Sequence, residues 1–179
     1  MEWKTLLATT RLSDKDSNHR NEFDDDYKRI VTSPAFRRLQ DKTQVFPLER
    51  LDFIHTRLTH SLEVAMIART LVSEIIRLLQ QNPDKDSSKQ EMIEHQSDIA
   101  RIVECASLLH DIGNPPYGHF GEDIIRQWFK KNLPHILAEH SDVAEEFLAS
   151  PYVHDFYHFE GNAQSLRIIS KLHDFKGNF

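Results

Sequence analysis

The stretch from Leu58 to Leu79 reads LTHSLEVAMIARTLVSEIIRLL, and it decides the fold class. Apolar residues recur three or four positions apart along it, which is the spacing of one face of an α-helix. No stretch of the chain shows the sustained alternation of apolar and polar residues that is typical of a half-buried strand. The pattern therefore predicts a long amphipathic helix in an all-α protein. The residues that carry the helical period are Leu58, Leu62, Ala65, Ala68, Val72, Ile75, Ile76 and Leu79.

The same periodicity predicts helices on both sides of this stretch. Ser33-Pro34 is a helix start, because serine caps well and proline fits the first helical position. A second long helix is expected, with apolar positions from Met92 to Leu109. It ends near Ile112-Gly113, because Pro115-Pro116 prevents its continuation. Val45-Phe46-Pro47 is at most one short β segment. Further helices are expected over residues 118–133, 142–148 and 161–172, with a polar surface loop at 84–90 and an irregular stretch at 151–159.

Composition describes an ordinary globular chain of 179 residues, with 39% hydrophobic and 28% charged residues. We expect a charged N-terminal arm over residues 1–25 and one helical domain over residues 26–179. The net charge of −6 disfavours indiscriminate binding to nucleic acid or anionic membrane. A single cysteine excludes an intrachain disulfide and favours the cytoplasm, and no apolar run is long enough to span a bilayer. The two common glycine-rich nucleotide-binding motifs are also absent from the sequence.

Histidine and aspartate give the first candidate site. The chain has eleven histidines, more than packing requires. His60 lies early on the first long helix, and His110-Asp111 ends the second. Imidazole and carboxylate together form a mixed nitrogen and oxygen site for a divalent metal. A lone histidine is usually a buried or boundary residue, but the turn HDIGNPPYGH from His110 to His119 is typical of a built site.

His119 and Glu122 form a second pair, at the start of the helix that follows the two prolines. Their spacing of three residues places them on one helix face. A carboxylate beside an imidazole favours the protonated imidazolium, which suits a general acid. The alternative is an exposed surface pair without a function.

Arg57 and Gln40 are candidate substrate-binding residues. Arg57 lies three residues before His60, so a guanidinium there can hold a phosphate oxygen beside a metal. Gln40 can read a base edge. For each residue the alternative is a solvated helix face.

Four blocks in this order resemble the HD-domain deoxynucleoside triphosphate triphosphohydrolases, the dGTPase family. They are RRLQDKTQVFPL at residues 37–48, RLTHSLEV at 57–64, the segment 110–122, and FEGNAQ at 159–164. The His and His-Asp residues alone indicate only the HD superfamily, and the first and last blocks narrow the resemblance. It extends over residues 21–172.

The resemblance implies an HD-domain helical bundle that hydrolyses a dNTP, such as dGTP, to deoxynucleoside and inorganic triphosphate. It implies a divalent metal ion (Mg, Mn, Fe, Co or Ni) and a dNTP partner. It also implies a homo-oligomer and, by family analogy only, single-stranded nucleic acid as a partner. By the same resemblance the metal ligands are His60, His110 and Asp111, the catalytic pair is His119 and Glu122, and Arg57 and Gln40 contact substrate.

The family pattern includes a further metal-binding aspartate far downstream, beyond Phe179. We therefore expect the chain to correspond to the N-terminal portion of such an enzyme, with a partial HD domain. Two alternatives stay open. The first is another HD phosphohydrolase, such as a nucleotidase or a phosphodiesterase, and the second is a catalytically incomplete fragment or module.

Overall fold

The computed structural model of the chain describes residues 3–9, 21–43, 56–82, 86–138 and 141–172. Contacts between residues divide the chain into two compact units. The first unit comprises residues 1–40 and 58–109, and the second comprises 41–57 and 110–179. Within the described ranges every regular element is helical, and the only pairing of extended backbone is an isolated bridge between Thr43 and Thr56. The all-α prediction is therefore confirmed, whereas the β segment expected at Val45 lies outside the described residues.

In the described residues six helices precede the HDIGNPPYGH turn, and the longest of them coincides with the apolar period that begins at Leu58. The first residue of the fourth helix, Arg57, groups with the second unit, whereas the rest of that helix belongs to the first. The helices are α1 (Trp3–Leu6), α2 (Glu22–Thr32), α3 (Pro34–Arg37), α4 (Arg57–Gln81), α5 (Ser87–Glu94) and α6 (Gln96–Leu109), with a 3-10 turn over Arg38–Asp41 after α3.

The first unit is held together by an apolar core. Val72 and Ile76 of α4 pack with Ile99 of α6, and each is less than one-tenth exposed. Burial of one such side chain contributes about 1.5–3 kcal/mol. Ser33 starts α3 as predicted, because its hydroxyl accepts a hydrogen bond from the Phe36 N–H at 3.2 Å.

Charged side chains of the first unit lie at its surface. Arg101 donates to Asp24 at 2.6 Å and to Glu104 at 2.6 Å, and its guanidinium lies 4.6 Å from the centre of the Tyr27 ring. Glu104 also accepts from Arg69 at 3.1 Å. Exposed pairs of this kind contribute little to stability, roughly 0–1 kcal/mol each.

The described part of the second unit contains four helices and an aromatic cluster. Phe129 makes edge-on contacts with Trp128 and Phe156, with ring centres 5.1 Å and 4.9 Å apart. Leu133 and Val153 are buried in the same unit. The helices are α7 (Gly118–Ala138), α8 (Ser141–Ala149), α9 (Val153–Tyr157) and α10 (Gly161–Arg167), which continues as a π-helical turn over Ile168–Leu172.

Three predicted boundaries were wrong. The expected single helix from Met92 to Leu109 is broken at His95, and α5 begins at Ser87, inside the predicted polar loop, because Asp86 caps it. Helix α7 passes through Pro134 and ends at Ala138, five residues later than expected. The irregular stretch at 151–159 contains α9. Among the described helices, none has the length and hydropathy that crossing a membrane requires.

Candidate active site

The chain turns sharply where α6 ends, and this turn places Asp111 in a buried position. Asp111 is 5% exposed. Its Oδ1 accepts a hydrogen bond from Asn114 Nδ2 at 2.6 Å, and its Oδ2 accepts from Arg57 Nη1 at 3.0 Å. A buried carboxylate is costly unless such donors surround it. The HDIGN sequence therefore supplies both the acid and one of its partners.

Arg57 is the cationic partner, and it is 3% exposed. Its Nη2 lies 3.5 Å from the Pro115 carbonyl oxygen. Its Nε is buried and has no hydrogen-bond partner. A buried donor without an acceptor costs about 1–3 kcal/mol. The charge of Arg57 is therefore balanced by Asp111, while its Nε–H group is unused.

His110 lies beside Asp111 in an arrangement that fits a metal ion. His110 Nε2 and Asp111 Oδ1 are 3.5 Å apart. Two ligand atoms on one ion, each at about 2.0–2.2 Å from it, lie roughly 3.0–3.5 Å apart. A carboxylate oxygen that accepts one hydrogen bond also retains acceptor capacity for a metal. The two neighbouring side chains therefore fit a divalent cation in both chemistry and separation.

The predicted site residues are divided between the two units. The second unit contains Arg57, His110, Asp111, His119 and Glu122, and it joins them in the pairs Arg57–Asp111, His110–Asp111 and His119–Glu122. His60 belongs to the first unit, half-buried on α4 and three residues after Arg57. Gln40 is exposed in the 3-10 turn that follows α3.

His119 and Glu122 differ greatly in exposure. The His119 side chain is 90% exposed, whereas that of Glu122 is 3% exposed, and His119 Nδ1 lies 3.1 Å from Glu122 Oε2. Glu122 Oε1 accepts from the Gly161 N–H at 2.8 Å, and Oε2 accepts from Arg126 Nη2 at 3.1 Å. The pair is therefore one exposed imidazole on a buried, fully partnered carboxylate.

Helix α10 supports the turn from behind. The Gly113 N–H donates to Ser165 Oγ at 2.9 Å, and that hydroxyl lies 3.4 Å from the His110 carbonyl oxygen. A Cβ added at Gly161 would come 2.8 Å from Glu122 Oε1, so any larger residue there would displace that carboxylate. The FEGNAQ block thus contacts both the His110-Asp111 turn and Glu122.

The entry into α7 contains strained backbone. Tyr117 has a φ of 67°, and the following Gly118 has a φ of 56°. A non-glycine residue in this region costs on the order of 1–3 kcal/mol and usually persists where function requires it. The two residues redirect the chain after Pro115-Pro116, so that His119 falls in the first turn of α7.

Sequence reasoning missed the residues that hold Glu122 and the turn. Arg126 lies four residues after Glu122 on α7, a spacing that could have found it. Gly161 lies in the FEGNAQ block and Ser165 follows it, and the pattern of that block does not indicate either contact. No periodicity links residues 39 and 52 positions apart, so their contacts emerge only in the folded chain.

The chain is similar to known proteins over almost its whole length. The HD domain model matches residues 57–177. A deoxyguanosinetriphosphate triphosphohydrolase-like protein from Listeria monocytogenes is 48% identical over 97% of the chain, and one from Pseudomonas aeruginosa (strain LESB58) is 44% identical over 99%. A deoxyguanosinetriphosphate triphosphohydrolase from Yersinia enterocolitica is 38% identical over 96% of the chain.

The chain spans 38% of the length of each of these relatives. The match to the HD domain covers both the residues around the buried Asp111 and the FEGNAQ block that supports them. It also includes His60 on α4 and the pair at the start of α7. Because the HD domain model matches more than half of the chain, the chain belongs to the HD-domain family.

Proposed function

We propose that the chain carries the active-site residues of a metal-dependent phosphohydrolase, which cleaves a dNTP such as dGTP to deoxynucleoside and inorganic triphosphate. One observation carries the proposal. The second unit contains a buried Arg57–Asp111 pair beside a segment that ends in an exposed His119 backed by Glu122. A phosphate-binding cation and an acid–base group are what hydrolysis of a phosphate ester requires. The names of the relatives support the choice of substrate.

The proposed metal ligands are His60, His110 and Asp111. His110 and Asp111 have the separation of two ligands on one ion. His60 follows Arg57 by three residues on α4, so both side chains project from the same face of that helix. A bound Mg, Mn, Fe, Co or Ni ion would supply Lewis-acid polarisation of a phosphoryl oxygen.

Arg57 is proposed to hold the phosphate that is attacked. Its Nη1 is engaged by Asp111, but its buried Nε–H has no acceptor. A phosphate oxygen is a strong acceptor for that group. The hydrogen bond would place positive charge where negative charge builds up during the attack of water.

His119 is proposed to donate a proton to the leaving oxygen. Its ring is exposed to substrate, and its Nδ1 is held by Glu122, so its Nε2 is the atom that exchanges the proton. Glu122 is buried and already accepts from two other N–H groups. This supports a role for Glu122 in orienting His119 rather than in deprotonating water.

A covalent thiol mechanism does not fit Cys105. Burial raises the pKa of its thiol to about 11, so the nucleophilic thiolate is scarce at neutral pH. Cys105 lies half-buried on α6 in the first unit. The proposed attack by water needs no covalent nucleophile, so Cys105 has no role in it.

Some further expectations rest on the resemblance alone. These are contact of Gln40 with the sugar or base, assembly into a homo-oligomer, binding of single-stranded nucleic acid, and a cytoplasmic location. Each is a separate proposal, and the hydrolysis mechanism does not depend on any of them.

The test is to incubate the purified chain with Mn²⁺ and each of the four dNTPs and to identify products by anion-exchange chromatography. Release of inorganic triphosphate and deoxynucleoside is the expected result. Release of a monophosphate or of orthophosphate would instead favour another HD phosphohydrolase. The absence of any product would contradict turnover by this chain and favour a binding module.

Metal content provides a second test, independent of turnover. His60→Ala and His110→Ala are each expected to lower bound metal sharply, because each removes one proposed ligand. The exposed His135→Ala is the control and is expected to leave the metal content unchanged. Elemental analysis that finds equal metal in all three variants would contradict the ligand assignment.

A further inference from the structure

We propose that Arg126 is a positioning residue for His119: its guanidinium fixes the buried Glu122 carboxylate and, through that carboxylate, the orientation of the His119 ring. The inference deepens the proposed function, because it assigns a residue that the acid–base pair requires. It rests on that proposal for its catalytic meaning. The contacts that support it all lie within the second unit.

The neighbours of Glu122 fix its chemical state. Its carboxylate contacts the Gly161 N–H, Arg126 Nη2 and His119 Nδ1. The first two are obligatory donors, so each oxygen of the carboxylate already accepts one hydrogen bond. His119 Nδ1 then interacts favourably only when it carries a hydrogen. The environment of Glu122 therefore selects the Nδ1–H form of His119 and leaves Nε2 to face the solvent.

The Arg126 guanidinium is the cation that stabilises the buried Glu122 carboxylate. The side chain of Glu122 is 3% exposed, whereas its other charged neighbour, His119, is 90% exposed and charged only when protonated. A buried anion without a permanent cation beside it is strongly disfavoured. Arg126 is permanently charged and lies 3.1 Å away, so it balances the charge of the Glu122 carboxylate even beside a neutral imidazole.

Arg126 is itself fixed at three points. Its Nε donates to the Phe159 carbonyl oxygen at 2.6 Å, its Nη1 donates to Asp123 Oδ1 at 3.0 Å, and its Nη2 reaches Glu122. A planar guanidinium can make these three bonds at once, and a lysine ammonium cannot reproduce their geometry. Arg126 therefore ties α7 to the segment just before Gly161, whose N–H holds the other oxygen of Glu122.

The experiment measures the tautomer of His119 by ¹⁵N NMR of the imidazole nitrogens in the full 179-residue chain. His119→Gln identifies the signals by their loss. In the wild type, neutral His119 is expected in the Nδ1–H form. In Arg126→Gln, the Nε2–H form is expected to appear, because the carboxylate is no longer held. The exposed Arg167→Gln is the control and is expected to retain the wild-type tautomer.

Kinetics supply a second measurement. If the chain hydrolyses a dNTP, Arg126→Gln should lower kcat by roughly 10- to 100-fold, with metal content unchanged, since misplacement of a reacting group by about 1 Å has effects of this size. KM should change by less than about twofold, because substrate contacts are retained. Added guanidinium should partly restore kcat in Arg126→Ala, since Arg126 lines an open groove of about 490 Å³.

The outcomes separate the two proposals. Lack of hydrolysis by the wild type would contradict the proposed function, and the tautomer measurement would still decide the role of Arg126. A wild-type tautomer ratio in Arg126→Gln would overturn the role of Arg126, whatever the activity. If Arg126→Gln does not fold, Arg126→Lys takes its place, because it keeps the charge and loses the three-point geometry.

Discussion

Each compact unit contains a histidine followed three residues later by an acid, and the two pairs are built differently. In the first unit, His95 Nδ1 lies 3.7 Å from Asp98 Oδ2, with side chains 48% and 30% exposed. In the second unit, His119 Nδ1 lies 3.1 Å from Glu122 Oε2, with side chains 90% and 3% exposed. The spacing along the chain is the same, so spacing alone does not make a site.

The difference lies in what surrounds the acid. Asp98 also accepts a hydrogen bond from exposed Asn21 at 3.0 Å, whereas Glu122 is enclosed by Arg126 and the Gly161 N–H. Among the described residues, the three charged side chains under one-tenth exposed are Arg57, Asp111 and Glu122, and all belong to the second unit. The first unit keeps its charges at the surface and fills its core with apolar side chains. Burial of charge therefore distinguishes the candidate site from the scaffold.

Replacement of the two histidines is the most direct test of this comparison. His119→Gln is expected to lower the hydrolysis rate by about 10²–10⁴-fold, the usual contribution of a general acid. His95→Gln should leave the rate unchanged, because the same spacing there carries no buried acid. Steady-state dNTP hydrolysis and elemental analysis measure the effects. Equal losses in both variants, or loss of metal in His119→Gln, would remove the functional distinction between the pairs.

Removal of one charge from each unit tests burial itself. Asp111→Ala leaves Arg57 buried and unpaired, which is expected to lower the free energy of unfolding by about 3–5 kcal/mol. Arg69→Ala breaks an exposed pair with Glu104 and should change it by less than about 1 kcal/mol. Urea denaturation followed by circular dichroism gives both values. Similar losses in the two variants would show that the buried charge pair matters no more to the free energy of unfolding than the exposed pair does.

Gly161→Ala tests the support behind Glu122. The new Cβ would come 2.8 Å from Glu122 Oε1 and would also overlap Asn114 Oδ1, so both hydrogen-bonded side chains have to shift. We expect a loss of about 1–3 kcal/mol in the free energy of unfolding, as for other overpacked sites. Leu166→Ala, at a position 67% exposed on the same helix, should change it by less than about 0.5 kcal/mol. A Gly161→Ala protein as stable as the wild type would show that α10 is not tightly seated on the turn.

The smallest expected effect is a pH dependence at the start of α10. Hydrogen bonds from the backbone N–H groups of Ala163 and Asn162 lower the pKa of Glu160 below its ordinary value of 4.5. A lowered folded-state pKa means that the stabilisation is complete above about pH 4.5 and is lost as the pH falls through the folded value. The contribution should be about 0.5 kcal/mol, the lower end for helix caps.

Urea denaturation of the wild type and Glu160→Gln between pH 3 and pH 7 measures this contribution. The difference between the two proteins should shrink at the acid end. Glu145→Gln, at an exposed position on α8, serves as the control. A difference that stays constant over the whole range would show that the charge of Glu160 does not stabilise α10.

The sequence predicted the long helices well, because each has an apolar period that local spacing reveals. It failed where a single residue decides a boundary. The polar run before Met92 concealed a helix that Asp86 starts by accepting a hydrogen bond from the Ser88 N–H at 3.0 Å. The helix expected over residues 118–133 continues through Pro134 to Ala138, because a proline near the end of a helix removes only one backbone hydrogen bond. Neither effect is visible in hydrophobic periodicity.

The candidate site was predicted in part, for a related reason. His110, Asp111, His119 and Glu122 lie within one short segment, so sequence spacing brings them together. Arg126 and the α10 residues act through contacts that the sequence does not encode locally. The assignment of His119 as the acid and Glu122 as its support needed their exposures, because the two residue types alone permit either role. The roles of these residues, like that of Gln40, stay predictions.

The hydrogen bonds from Gly113 to Ser165 and from Gly161 to Glu122 also concern the order in which the protein is made. They join residues 52 and 39 positions apart, so closing them requires ordering a long intervening stretch of chain. During synthesis the N-terminal residues emerge first, and all residues of the first unit precede His110. The apolar scaffold can therefore form while the ribosome is still adding α7 to α10. The hydrogen bonds to Ser165 and from Gly161 can form only after α10 has been translated, so the support of the His110-Asp111 turn is completed late in synthesis.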